Sequence, residues 1–336
     1  MNIHALARDV KNYLQPPNPL AIFKIIMPLS HSQVQQLCRA FQQQTGYCLK
    51  RLLTGPKFGF LCISGSTEIN SLESVYERAC AVAALEATSS ETFVLTPPAQ
   101  QLGQLLSFKL DTEVNSLLKA ILQAQNDAIS LVEIIFSAST KMLISISELI
   151  NIRYKQTPIQ LLSQSFGDQS DAKFLIVSRF SALFSEPEVQ KMSQLTNILH
   201  ASMNSYISKI PLMQLFARLL LLIDQDQLAG LVNLTNQSED LIDLQSLIEK
   251  KFQKEAELVE YAFLIYIDCA INQKRGFARI LRRGIKENRD FSICWVLSQR
   301  GLQDVKQQYK EMFGKDCMKE LKSQSCGIFK KAITIL

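Results

Sequence analysis

Glycine and proline are scarce, at 12 and 10 of 336 residues, which excludes a collagen-like chain and argues against a disordered one. Charged residues make up 20%, and a net charge of +5 is too mild to point to nucleic acid without a local cluster. The eight cysteines (38, 48, 62, 80, 269, 294, 317, 326) contain no C-x-x-C pair, so reduced, largely buried thiols are expected rather than a disulfide framework. Histidines 4, 31 and 200 stand apart from acids and cysteines in metal-ligand spacing. No Gly-rich phosphate loop, G-x-S-x-G or H-E-x-x-H occurs, and nothing supports an enzyme. The greasiest stretch, IPLMQLFARLLLLI (210–223), is too short for a bilayer and contains Arg218. MNIHALARDVKNYL lacks the apolar core of a signal peptide, and residue 2 is Asn rather than a myristoylated Gly. The expectation is a soluble, intracellular chain whose membrane contact is peripheral.

What is present is apolar residues at helical spacing. In TEVNSLLKAILQ (112–123) they fall at 114, 117, 118, 121 and 122, one buried stripe. MLISISELINIRY (142–154) and DVKQQYKEMFGKDCMKELK (304–322) behave alike, while strand-like material is confined to pieces such as TFVLT (92–96). The pattern predicts an all-α chain. Trp295, within SICWVLS, falls at core spacing.

The chain also repeats itself. SQSFG (163–167) returns as SQSCG (323–327), 160 residues later, and each trails a Tyr-Lys pair, Tyr154-Lys155 and Tyr309-Lys310. Five helices in similar order precede and follow these strings in the second and last quarters. That spacing predicts four units of about 80 residues.

YKEMFGKDCMKELKSQSCGIFKKAITIL resembles the end of an annexin core, DTEVNSLLKAI with LVEIIFSAS resembles an earlier annexin repeat, and LARDVKNYLQPPNPLAIFKIIMPLSHSQVQQLCRAFQQQTG resembles a first one. The resemblance implies an annexin-like disc of four repeats of five helices each. Its repeats would cover 1–85, 112–185, 186–272 and 273–336, with an inserted linker at 86–111. STEINSLESVYERACAVAALEATS (66–89) would supply the fifth helix of repeat one. Within the family, the chain resembles the alpha-giardins.

Annexins hold calcium in the loop between the first two helices of a repeat, where glycines let carbonyls converge and a carboxylate about 40 residues on closes the shell. Here Gln164 and Gln324 stand where the closing acids belong, and a neutral amide offers one oxygen and no charge. The expected loops read QPPNP (15–19), QAQND (123–127), HASMN (200–204) and RRGIKE (282–287), the last keeping only Gly284. Calcium binding, if retained, is therefore expected to be weak or non-standard, with Gly284, Glu287, Asp127 and Asp168 as candidate ligands. Asp127 and Asp168 equally fit helix-capping roles. KRGFARILRRGIKENR (274–289) carries seven basic residues: Lys274, Arg275, Arg279, Arg282, Arg283, Lys286 and Arg289. On the resemblance, Arg282, Arg283 and Lys286 would lie in a membrane-facing loop and draw acidic phospholipid by fixed charge. A solvated helix face, or a site for sulfated sugars or acidic protein tails, fits the same residues.

The family implies a non-enzymatic, cytoplasmic protein, peripheral at the plasma membrane or at cytoskeleton and flagella. Its partners would be acidic phospholipid surfaces and cytoskeletal proteins, microtubule structures among them, with possible self-association and no nucleic acid. The alternative is a protein-binding cytoskeletal scaffold without membrane activity, its partner site in the surplus sequence within 55–111.

Overall fold

In the computed structural model, residues 2–15, 18–54, 97–163, 170–185, 197–198, 201, 209–223, 225–237, 243–252, 256–299, 302–325 and 327–335 are described, and among them nineteen helices form and no strand does. In chain order these are α1 (Ile3–Asn12), α2 (Pro19–Ile26), α3 (His31–Thr45), α4 (Leu49–Thr54), α5 (Pro97–Lys109), α6 (Glu113–Gln123) and α7 (Ala128–Ser137). Then come α8 (Thr140–Tyr154), α9 (Pro158–Ser163), α10 (Ser170–Ala182), α11 (Lys209–Leu221), α12 (Gln225–Gln237) and α13 (Leu244–Phe252). The last are α14 (Glu257–Ile271), α15 (Gln273–Glu287), α16 (Asp290–Gln299), α17 (Leu302–Phe313), α18 (Cys317–Gln324) and α19 (Gly327–Ile335).

Local chemistry sets the ends. Ser30 and Gln33 form a capping box at α3, while Asn2, Asn18, Ser139 and Asp316 accept from backbone N–H groups at α1, α2, α8 and α18. Besides α15, which is followed by Asn288 (φ +53°), three helices end in a left-handed residue: Gly46 after α3 (φ +76°), Lys155 after α8 (φ +56°) and Gly314 after α17 (φ +65°). In these three the next helix starts three residues on, at Leu49, Pro158 and Cys317. Within the string SQSCG, α18 ends at Gln324 and α19 begins at Gly327, while 164–167 of its earlier copy lie outside the described residues.

The chain divides into two compact units, one made of Met1–Lys119 with Leu281–Leu336, the other of Ala120–Ile280. In the first, α1 packs on α3, α5 on α4, α16 and α19, and α2 on α19. Trp295 is 2% exposed and meets Phe108 edge to face, centroids 5.9 Å apart. Burying rings of this size contributes about 1.5–3 kcal/mol each. Residues 97–109, read from sequence as linker, are instead the core helix α5, with Leu102, Leu105, Leu106 and Phe108 buried. The segment 66–89, read as a fifth helix, lies outside the described residues.

In the second unit, α14 is the hub, packed by α7, α10, α11, α12 and α13. Phe216, Phe252 and Phe263 cluster with centroids 5.4–6.3 Å apart. Asp268 of α14, fully buried, accepts from Arg279 Nε (2.5 Å), Arg275 Nε (3.3 Å) and Gln245 Nε2 (2.8 Å). Cys38, Cys48, Cys269, Cys294 and Cys317 are free thiols; Cys62, Cys80 and Cys326 lie outside the described residues. Burial pushes the Cys38 and Cys317 thiols up to about 11, so neither is a thiolate at neutral pH. No single helix among the described residues is long and apolar enough to cross a membrane.

Candidate functional site

The sequence reading put Arg282, Arg283, Gly284, Lys286 and Glu287 in a loop between helices; all five are inside α15. The turn is shorter, formed by Asn288 (φ +53°) and Arg289 before α16 starts at Asp290. Gly284 serves packing. A Cβ there would lie 3.1 Å from Cγ1 of Ile293 and 3.3 Å from Cβ of Ser292, so α15 and α16 meet closely because no side chain intervenes. The Gly284 carbonyl accepts the Arg289 N–H at 2.8 Å.

The arginines are engaged by carboxylates. Arg275 and Arg279 belong to the Asp268 cluster of the second unit. Arg282, in the first unit, donates through Nη1 to both Glu320 oxygens (2.8 Å each) and to the Tyr309 hydroxyl (3.1 Å). Its Cζ lies 5.6 Å from the Phe313 centroid and 5.9 Å from that of Tyr309. The Tyr309 hydroxyl donates to Oε2 of Glu320 at 2.5 Å, and Lys315 Nζ lies 3.4 Å from Oε1. Desolvation acts to raise the Glu320 carboxyl, but hydrogen bonds from Tyr309 and Arg282 outweigh it and hold the group below its ordinary value. Burial, then the bond to Glu320, drives the Tyr309 phenol up. Arg283 Nε pairs with Glu287 one turn on, at 2.7 Å. Lys286 is exposed on the last turn of α15.

The candidate calcium ligands do not converge. Asp127 is the N-cap of α7: its Oδ1 accepts from the N–H groups of Ile129 (3.2 Å) and Ser130 (3.3 Å), and its Oδ2 from the Ser130 hydroxyl (2.7 Å). The carbonyl of Ala124, in the same turn, accepts the Asp127 N–H at 2.8 Å. Glu287 is held by Arg283, and the Gly284 carbonyl by Arg289. Gln324 is the exposed last residue of α18; Asp168 and Gln164 lie outside the described residues. No group of three His, Cys, Asp or Glu side chains among the described residues could hold a metal ion. A hard cation needs six to eight oxygens, and these residues do not fit one.

Sequence reasoning missed Tyr309, Lys315 and Glu320 as the surroundings of Arg282. Glu320 lies 38 residues from Arg282, and nothing local in the sequence marks the pair. The only hint was Tyr309 in the repeated Tyr-Lys pair.

This helical order, with its recurring left-handed corners, is the annexin fold. Alpha-14 giardin, in a calcium-bound structure, is similar over 99% of this chain and 99% of that one, with a TM-score of 0.72 at 15% identity. Calcium-bound alpha-1 giardin gives 0.71 at 10% identity, over 100% of this chain and 99% of that one. Annexin III gives 0.65 at 14% identity, over 100% and 93%. At such identities the likeness concerns the fold. No family model matches the sequence, and no curated protein sequence does.

Proposed function

We propose that this chain is a non-catalytic, peripheral protein of the annexin type that binds acidic phospholipid surfaces with little dependence on calcium. The observation that carries the reading is the turn between α15 and α16. In the family, the equivalent turn carries the calcium loop. Here it is cut to Asn288 and Arg289; of the two acids flanking it, Glu287 is paired with Arg283 and a single exposed carboxylate, Asp290, opens α16, while Lys286 is exposed beside the turn. Fixed positive charge replaces the ion as the attraction for an anionic surface, at about 1 kcal/mol per residue. Four repeats, a cytoplasmic location at plasma membrane, cytoskeleton or flagella, cytoskeletal partners and self-association belong to the same reading.

Co-sedimentation with phosphatidylserine vesicles tests it, with calcium and with chelator, at low and high salt. The expected result is binding in chelator that weakens as salt screens it and falls several-fold in Lys286→Glu. Binding that requires calcium overturns the fixed-charge mechanism. Absence of binding in every condition leaves a protein-binding scaffold.

A further inference from the structure

The surroundings of Arg282 hold a surplus of hydrogen-bond donors. Glu320 accepts from Arg282 at both oxygens, from the Tyr309 hydroxyl at Oε2, and has Lys315 Nζ within 3.4 Å of Oε1, so its lone pairs are filled. The donors are not used up. Arg282 bonds through Nη1 alone; its Nε and Nη2 donate to no described residue, neither is buried, and the side chain is 17% exposed. Lys315 is 55% exposed, leaving its other protons to solvent. Both cations reach the same Oε1, at 2.8 and 3.4 Å, which puts them within about 6 Å of each other. Two positive charges thus share one carboxylate. The aromatic rings of Tyr309 and Phe313 against the guanidinium fix its plane.

A planar fork of two N–H groups beside an ammonium matches a tetrahedral oxyanion. We propose that this cluster binds a phosphate monoester: the Nε–Nη2 edge of Arg282 takes two oxygens and Lys315 a third. A monoester fits better than a diester because it offers three terminal oxygens and a second negative charge. Glu320 does not compete for the fork. It holds the opposite side of the guanidinium and keeps the free edge turned outward. Lys286 lies one turn on from Arg282 in α15, but it is not among the groups of this site, which does not depend on membrane binding through Lys286. A soluble phosphate and the headgroup of a lipid such as phosphatidic acid present the same group.

Titration calorimetry with inorganic phosphate at low ionic strength tests the site on the full chain. Saturable one-to-one binding is expected, weakened roughly tenfold in Lys315→Ala and in Arg282→Lys, which keeps a charge beside Glu320 but has no fork. Lys315 is exposed, so its variant melts at the wild-type temperature and separates lost binding from lost fold. No saturable binding by the wild type, or binding unchanged in both variants, overturns the proposal. Once binding is seen, phosphatidylcholine vesicles with and without phosphatidic acid distinguish the sources. Sedimentation that needs phosphatidic acid and Lys315 assigns the headgroup, and its absence assigns a soluble phosphate. Loss of phosphatidylserine binding in Lys286→Ala, which adds no carboxylate beside Arg282, with phosphate binding intact, keeps this site apart from the membrane reading.

Discussion

The guanidinium of Arg179 lies 4.7 Å from the ring centroid of Tyr266, and its Nη2 donates to the Ala138 carbonyl at 3.3 Å. Ala138 is the C-cap of α7, so the cation meets the negative end of a helix dipole. Among the described residues no carboxylate pairs with it, its Nε has no partner, and burial lowers its pKa. Replacing a buried, incompletely compensated charge by an apolar side chain of similar length is often neutral or stabilising. Arg179→Met is therefore expected to match the wild type or exceed it by about 1–4 kcal/mol in urea denaturation. Arg179→Ala, which leaves a cavity, is expected to lose about 2–5 kcal/mol. A Met variant as unstable as the Ala variant would show that the charge itself is required.

Gly276 faces Cys269 across the α14–α15 junction. A Cβ there would fall 2.1 Å from the Cys269 sulfur and 3.3 Å from the Ile265 carbonyl oxygen. Gly276→Ala is expected to cost about 1–3 kcal/mol by overpacking. Adding Cys269→Ala should recover most of the loss, a coupling that a double-mutant cycle measures. Additive losses would place the strain elsewhere.

His31 gives the stability a pH dependence. Its Nδ1 donates to the Asp111 carbonyl at 2.9 Å, and burial lowers its pKa below the ordinary 6.5, against that hydrogen bond. As pH falls through 6.5 the unfolded chain gains a proton that the folded chain resists, so stability is lost until the folded imidazole also protonates. Glu320 acts in a lower window: its folded value lies below the ordinary 4.5, and the stability present above that pH is lost as pH falls through the folded value. Urea midpoints from pH 7.5 downward should fall in both windows, and His31→Asn should flatten only the upper one. An unchanged upper slope in that variant contradicts the assignment.

Asp127 is a cap. Asp127→Ala is expected to lose about 0.5–2 kcal/mol of stability, and Asp127→Asn less, because Asn keeps an acceptor for the same N–H groups. Neither change should alter the heat of calcium addition. A calcium signal that vanishes with Asp127 would return the residue to the metal ligands.

The helices were legible where one apolar stripe and a cap agreed. The pattern at 112–123 appears as Glu113–Gln123, and Asp127 caps as its position allows. Trp295 is buried, as its spacing suggested. Gly284 misled because glycine marks both turns and close helix contacts, and the sequence does not distinguish the two. α5 was passed over because it falls in 86–111, set aside as an inserted linker on the repeat length, although Leu102, Leu105 and Leu106 carry helical spacing. The ring of Tyr309, Lys315 and Glu320 around Arg282 depends on tertiary placement, which local patterns do not encode.

Lys155 holds the left-handed corner that Gly46 and Gly314 hold elsewhere. A side chain there costs about 1 kcal/mol, so Lys155→Gly should raise the unfolding midpoint accordingly. A lower midpoint would mean that the lysine makes a contact worth more than the strain.

Measured by torsion angle, those three bends are copies of one another; measured by residue identity, one of them is a stranger. What recurs at them is a backbone corner of fixed length, while the residue that forms it varies. A comparison that scores letters therefore passes over a likeness of fold that a superposition of coordinates recovers at once.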